Sequence, residues 1–275
     1  MADNLWQEFK QRAHFVCNSD MEIGGAILEL LGVFSFGVTS SVSNQYIYGP
    51  YVQVQLSSGA EGICIAFNNI DISNELNTLR LVGKKVLDIF DLGEKVSIEV
   101  QIALVDAIYH HIKIKEKLVP SKSVEFLGLA KQKSFERANY IASLLNISQK
   151  DKVAVVGCVA PIVKSVLNCG GELRIADLHS LYSSLYNTQI EKDTASVVKW
   201  ADKIILTGNA LWSQTITNIF DVIQPQSVVL VYAMTAHNIA PYYINYRANI
   251  VTAESFPFYW FNNTISKINT FAKLR

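Results

Sequence analysis

Residues 152–177 constrain this chain most. They read as strand, glycine turn, helix, strand and acid: Val153-Ala-Val-Val-Gly157-Cys158-Val-Ala-Pro161, then Leu173-Arg-Ile-Ala-Asp177. An unbroken apolar run that breaks at a glycine is the pattern of a parallel strand covered on both faces. Pro161 suits the first turn of the helix that follows, where its missing N–H costs nothing. The next strand ends in a carboxylate, at the sheet edge where doubly wound α/β folds bind ligands.

The rest of the C-terminal half repeats this alternation. Strands are expected at 152–156, 173–177, 203–207, 227–232 and 249–253, with helices at about 134–147, 161–168, 193–201, 213–223 and 263–273. Crossovers of this length force parallel pairing. The expected unit is a small doubly wound parallel sheet.

The N-terminal half has a different order. Amphipathic helices are expected at 4–17 and 22–31. Strand-like runs follow at 33–42 and 46–56, where Tyr51, Gln53 and Gln55 alternate with Val52, Val54 and Leu56. Ser57 to Gly62 reads as a hairpin connection to a return strand at 63–67. Helices are expected at 75–90 and 96–110. Strands first and helices after is an α+β order. The lysine-rich stretch 113–133 reads as a connection, so the units are drawn as 1–125 and 126–275.

Composition narrows the function classes. Half of the residues are hydrophobic, and 24 basic side chains balance 24 acidic ones. That balance gives no electrostatic footprint for nucleic acid. Every apolar run is interrupted by charge before it reaches membrane-spanning length. The N-terminus lacks the basic and apolar regions of a secretory signal. Cys17, Cys64, Cys158 and Cys169 show no CxxC spacing and read as free thiols. A cytoplasmic protein with a small-molecule ligand is expected.

Candidate site residues gather at the carboxyl ends of the expected parallel strands. Gly157 opens the first turn, but Val159 and Ile162 replace the later glycines of GxGxxG, which disfavours a dinucleotide dehydrogenase. Cys158 follows it. Asp177 suits ribose hydroxyls, an amine, or a local capping role. The third strand ends in Thr207-Gly208-Asn209, and the fourth runs on through Thr235 to His237. Cys158, His179 and His237 could form a soft-metal cluster, with His179 and His237 as proton-transfer groups. S-adenosylmethionine needs only a glycine turn and an acid, so a transferase using it is an alternative reading. The aromatic run Phe256 to Phe261 suits core packing, a pocket wall or a subunit interface, the last implying a homo-oligomer or a non-catalytic assembly partner. No GxSxG elbow occurs.

The C-terminal half also resembles a known family, named for putative heavy-metal chelation, in which an enolase N-terminal-like domain precedes a Rossmann-like domain. Thr207, Gly208, Leu211 and Thr215 agree with its Thr-Gly-rich pattern, while Ser213 stands at a usual asparagine. The family's Gly-Pro turn is replaced by Ala233-Met234 before Thr235. The resemblance implies a cleft lined by both domains and a link to metal or metallophore metabolism.

Overall fold

The computed structural model describes residues 5–40, 45–66, 80–178, 180, 182–212, 215–258 and 265–273, with only the backbone described at 34–40, 45–50 and 211–212. His179, Ser213 and the aromatic residues 259–261 lie outside this set, as do residues 75–79 of one expected helix.

The first unit opens with α1 (Leu5–Ser19) and the short α2 (Met21–Gly24). The helix expected at 22–31 stops early. Gly24 passes so close to Cys17 that a Cβ would lie 1.9 Å from its carbonyl oxygen, and the chain is extended by Leu28. β1 (Leu28–Ser40), β2 (Gln45–Leu56) and β3 (Glu61–Ile65) form an antiparallel sheet in the order β1-β2-β3. α3 (Val86–Asp91) and the long α4 (Ile98–Lys115) follow. α4 lies directly on β3. At Gly62 a Cβ would stand 2.1 Å from the Ala103 carbonyl oxygen, so glycine is what permits the contact.

The second sheet has nine strands, in the order β4-β12-β11-β10-β9-β5-β6-β8-β7. Its parallel centre consists of β5 (Lys152–Val156), β6 (Glu172–Ala176), β8 (Thr188–Glu191), β9 (Lys203–Thr207), β10 (Val228–Ala233) and β11 (Ile250–Glu254). The first three of these parallel strands run outward one way from β5. The last three run outward the other way from β9. The order therefore reverses between β5 and β9, the position outside whose carboxyl ends open α/β sheets bind ligands.

Two expectations need correction here. The helix expected at 263–273 is β12 (Ile265–Ala272), antiparallel to β11. Ser266, Ile268 and Thr270 are buried between exposed Ile265 and Lys267, a period of two that β-branched side chains favour. The connection expected at 113–133 contains β4 (Lys122–Leu127), an edge strand antiparallel to β12, and the start of α5 (Ala130–Ser143). Lysine and glutamate on β4 obscured it, and such charges are typical of protected sheet edges. The sheet is thus larger than expected and mixed at its edges. The small hairpin β7 (Ser184–Leu185) with β8 was also not anticipated.

α5 and α6 (Ala160–Cys169) cover one face of this sheet through Ala138, Ile141, Val163 and Val166. α7 (Thr194–Trp200) and α9 (Ile216–Val222) cover the other, while α8 (Asn209–Trp212) follows β9 directly. The buried apolar side chains of that second face are continuous with those of the first unit, from Trp6 and Phe9 to Tyr243 and Val231. The two units therefore share one core.

Candidate functional site

The step between β5 and β9 is built from two close backbone approaches. Gly157 ends β5 with φ of +89°, and a Cβ there would meet Thr207 Oγ1 at 2.2 Å. Gly208 ends β9, where a Cβ would stand 2.6 Å from the Thr235 carbonyl oxygen. Both glycines are required by packing between neighbouring strand ends. Thr207 and Thr235 are buried, and Asn209 begins α8.

The first unit closes one side of this edge. The Ile65 amide donates to Thr235 Oγ1 at 3.1 Å, and the Ala236 amide donates to the Ile63 carbonyl at 2.9 Å. Tyr51, Ile63, Ile65 and Phe258 form a small buried cluster, with the Tyr51 and Phe258 rings 5.1 Å apart. The described part of the aromatic run, Phe256 and Phe258, therefore packs the second unit onto the first.

Asp177 lies just beyond β6. Its Oδ2 accepts the Cys158 amide at 2.7 Å, and its Oδ1 accepts the Ser180 amide at 2.9 Å. Lys192 then ties the same loop, its ammonium donating to the carbonyls of Asp177, Leu178 and Ser180 at 2.9, 3.1 and 2.9 Å. Burial, with Asp177 adding to it, pushes the Cys158 thiol up to about 12. Cys158 is therefore a protonated thiol near neutral pH.

His237 stands in a different setting. It is buried at the junction of the units, its Nδ1 3.5 Å from Asp106 Oδ2 and without a hydrogen-bond partner among the described residues. Burial lowers its pKa to about 3, with nearby Lys113 and His110 acting in the same direction. Burial raises Asp106 to about 7, against the hydrogen bonds that favour its charged form. Both shifts favour neutral groups, so closeness here does not make an ion pair.

Asp106 is the organising residue that the sequence reading missed. From the middle of α4 it accepts the amides of Ile63 at 3.1 Å, Asn238 at 2.8 Å and Ile239 at 3.0 Å. The Asn238 side chain completes the network, donating to the Glu61 carbonyl at 2.9 Å and accepting Lys113 Nζ at 2.6 Å. One signal was available, because Asp106 is an acid inside an otherwise apolar helical stretch. A buried carboxylate must find donors.

The expected Cys158, His179 and His237 cluster is not assembled by the described residues. His237 faces Asp106, whereas the backbone amide of Cys158 donates to Asp177. Among the described residues, one trio of donor groups comes within 4.8 Å: Asp20, Glu22 and His111. Lys115 already serves it, 2.8 Å from Glu22 and 3.8 Å from Asp20, while His111 bonds Asp20 at 2.9 Å. The neighbouring His110 accepts the Glu61 amide at 3.2 Å, so the two histidines have separate partners. They also lie inside α4, which continues to Lys115, past the end expected at 110.

Residues 139–253 match the family model described as putative heavy-metal chelation, DUF364. This segment belongs to that family. Two solved structures of the family share the fold over nearly the whole chain. One, a protein of unknown function from Pyrococcus horikoshii, is 12% identical, covers 98% of this chain and 99% of its own, and has a TM-score of 0.59. The other, from Desulfitobacterium hafniense DCB-2, is also 12% identical, with coverage of 96% and 99% and a TM-score of 0.59. No curated protein matches the chain. No helix among the described residues is long and apolar enough to cross a membrane.

Proposed function

We propose that this protein binds a small molecule or a metal complex at the carboxyl edge of its large sheet, against β3 of the first unit. The reading treats the chain as an enolase N-terminal-like α+β unit followed by a Rossmann-like unit. One observation carries it. The strand order reverses between β5 and β9, and Thr207, Gly208 and Thr235 converge there with Ile65 of the first unit.

In this reading Thr207, Gly208, Asn209 and Thr235 line the ligand, while Gly157, Cys158 and Asp177 shape the adjoining wall. His237 supports the junction. The described donors do not suit a bare metal ion. Asp177 spends both oxygens on backbone amides, and His237 is turned to Asp106. A metal is therefore cargo, carried in an organic chelate that supplies most of its ligands. The family's description agrees with a metal-linked ligand.

Thermal unfolding of the whole chain tests the reading. Ferric citrate and the nickel–histidine complex are compared with free zinc and free nickel ions. A ligand that binds the folded state raises the midpoint. At least one chelate should raise it, free ions should not, and Gly208→Ala should abolish the rise. Stabilisation by free ions alone, no rise with either chelate, or an undiminished rise in the variant overturns the proposal.

A further inference from the structure

We infer that Asp177 is an internal occupant of the phosphate-and-ribose seat in this crevice, so that nucleotide cofactors are excluded from its β5–β6 side. This rests on the proposed ligand edge and deepens it by fixing which ligand class the edge refuses. In a doubly wound fold, a dinucleotide uses three features here. A glycine makes the tight turn after the first strand, free amides at the start of the next helix hold the pyrophosphate, and an acid after the second strand takes the ribose hydroxyls.

Each feature is already used by the chain itself. The space beside Gly157 is taken by the Thr207 side chain, whose Oγ1 would lie 2.2 Å from an added Cβ. The Cys158 amide, at the entrance to α6, donates to Asp177 Oδ2 at 2.7 Å. The other oxygen of Asp177 holds the Ser180 amide at 2.9 Å. The carboxylate that would accept ribose hydroxyls therefore occupies the amide that would donate to a phosphate.

Lys192 makes this arrangement rigid. Its ammonium gathers three carbonyls from the loop, those of Asp177, Leu178 and Ser180, all within 3.1 Å. A nucleotide would have to displace a charge-assisted bond at Cys158 and reshape a loop fastened by a cation. Val159 adds a side chain where the dinucleotide pattern has its second glycine. The consequence is directional. Ligands are confined to the side of the crevice formed by Thr207, Gly208 and Thr235, and an S-adenosylmethionine-dependent transferase is not what this chain is built to be.

Two measurements on the whole chain test the inference. Calorimetric titration with S-adenosylmethionine and with ADP should give no binding to the wild type. Backbone amide exchange should show Cys158 protected in the wild type, with protection falling roughly tenfold or more in Asp177→Ala. In Asp177→Asn, which keeps one acceptor oxygen and the side-chain shape, the fall should be smaller. Saturable binding of either nucleotide to the wild type, weakened in Asp177→Asn, would show that the carboxylate holds a ribose and would overturn the inference. An unprotected Cys158 amide in the wild type overturns it as well. Neither readout depends on the chelate measurements, so failure here is distinguishable from failure of the proposed function.

Discussion

The carboxylate of Asp106 accepts the backbone amide of Asn238 at 2.8 Å, across 132 positions of sequence. A helix of the first unit thereby shapes the loop that follows β10 in the second. The same carboxylate holds Ile63 and Ile239. Removing it strands several buried donors at once. Asp106→Ala should cost about 3–5 kcal/mol of stability, and Asp106→Asn less, because an amide oxygen still accepts. Urea unfolding followed by circular dichroism checks both values.

The pH dependence of stability separates Asp106 from His237. Asp106 is raised from 3.8 to about 7, so its contribution is fully present below about pH 4 and is lost as pH rises through about 7. His237 is lowered from 6.5 to about 3, so the unfolded chain gains protons first, and stability falls as pH drops below 6.5. The two trends oppose each other between about pH 4 and 6.5 and partly cancel in the wild type. His237→Gln should become more stable on acidification from pH 7 to 5. Asp106→Asn should become less stable over the same range. Parallel curves for the two variants would contradict this assignment.

Gly157→Ala should destabilise the fold by about 2 kcal/mol or more, through positive φ and collision with Thr207. Thr207→Ala should relieve part of the collision but none of the backbone strain. The double variant should therefore be more stable than the sum of the single changes predicts. A double-mutant cycle by chemical denaturation measures that coupling.

Arg137 pairs with Glu254, both buried where α5 meets β11, and donates to the Tyr232 hydroxyl at 2.8 Å. Breaking a buried pair from one side leaves a charge without its counterion. Glu254→Gln should cost about 3–5 kcal/mol, whereas replacing both partners with apolar residues should cost much less. Calorimetric unfolding of the two variants distinguishes these outcomes.

The parallel centre of the large sheet was legible because its strands are apolar runs ending in glycine or hydroxyl residues, as at Val153–Gly157 and Ile204–Gly208. Its antiparallel margin was not. β12 carries Lys267 and Asn269 on a short alternation that also fits a helix, and β4 hides among lysines. The meeting of the strand ends was legible in the same measure. Gly157, Thr207, Gly208 and Thr235 do meet, because strand ends at a topological switch must be neighbours. The role of Asp177 was hidden by distance, since its contact with Cys158 spans 19 positions. The contact of His237 with α4 was hidden for a related reason. The chain turns after Thr235, through Ala236 at φ +52°, and carries the imidazole to α4.

Native mass spectrometry of the whole chain, with ferric citrate and separately with the nickel–histidine complex, tests ligand binding at the carboxyl edge of the large sheet. Wild type is compared with Thr235→Val, which keeps the side-chain shape but removes the hydroxyl that accepts the Ile65 amide. With at least one chelate, one noncovalent adduct per chain is expected on the wild type, and its loss from the folded variant. A bare wild-type mass with both chelates, or equal adducts on both proteins, would contradict binding at this edge.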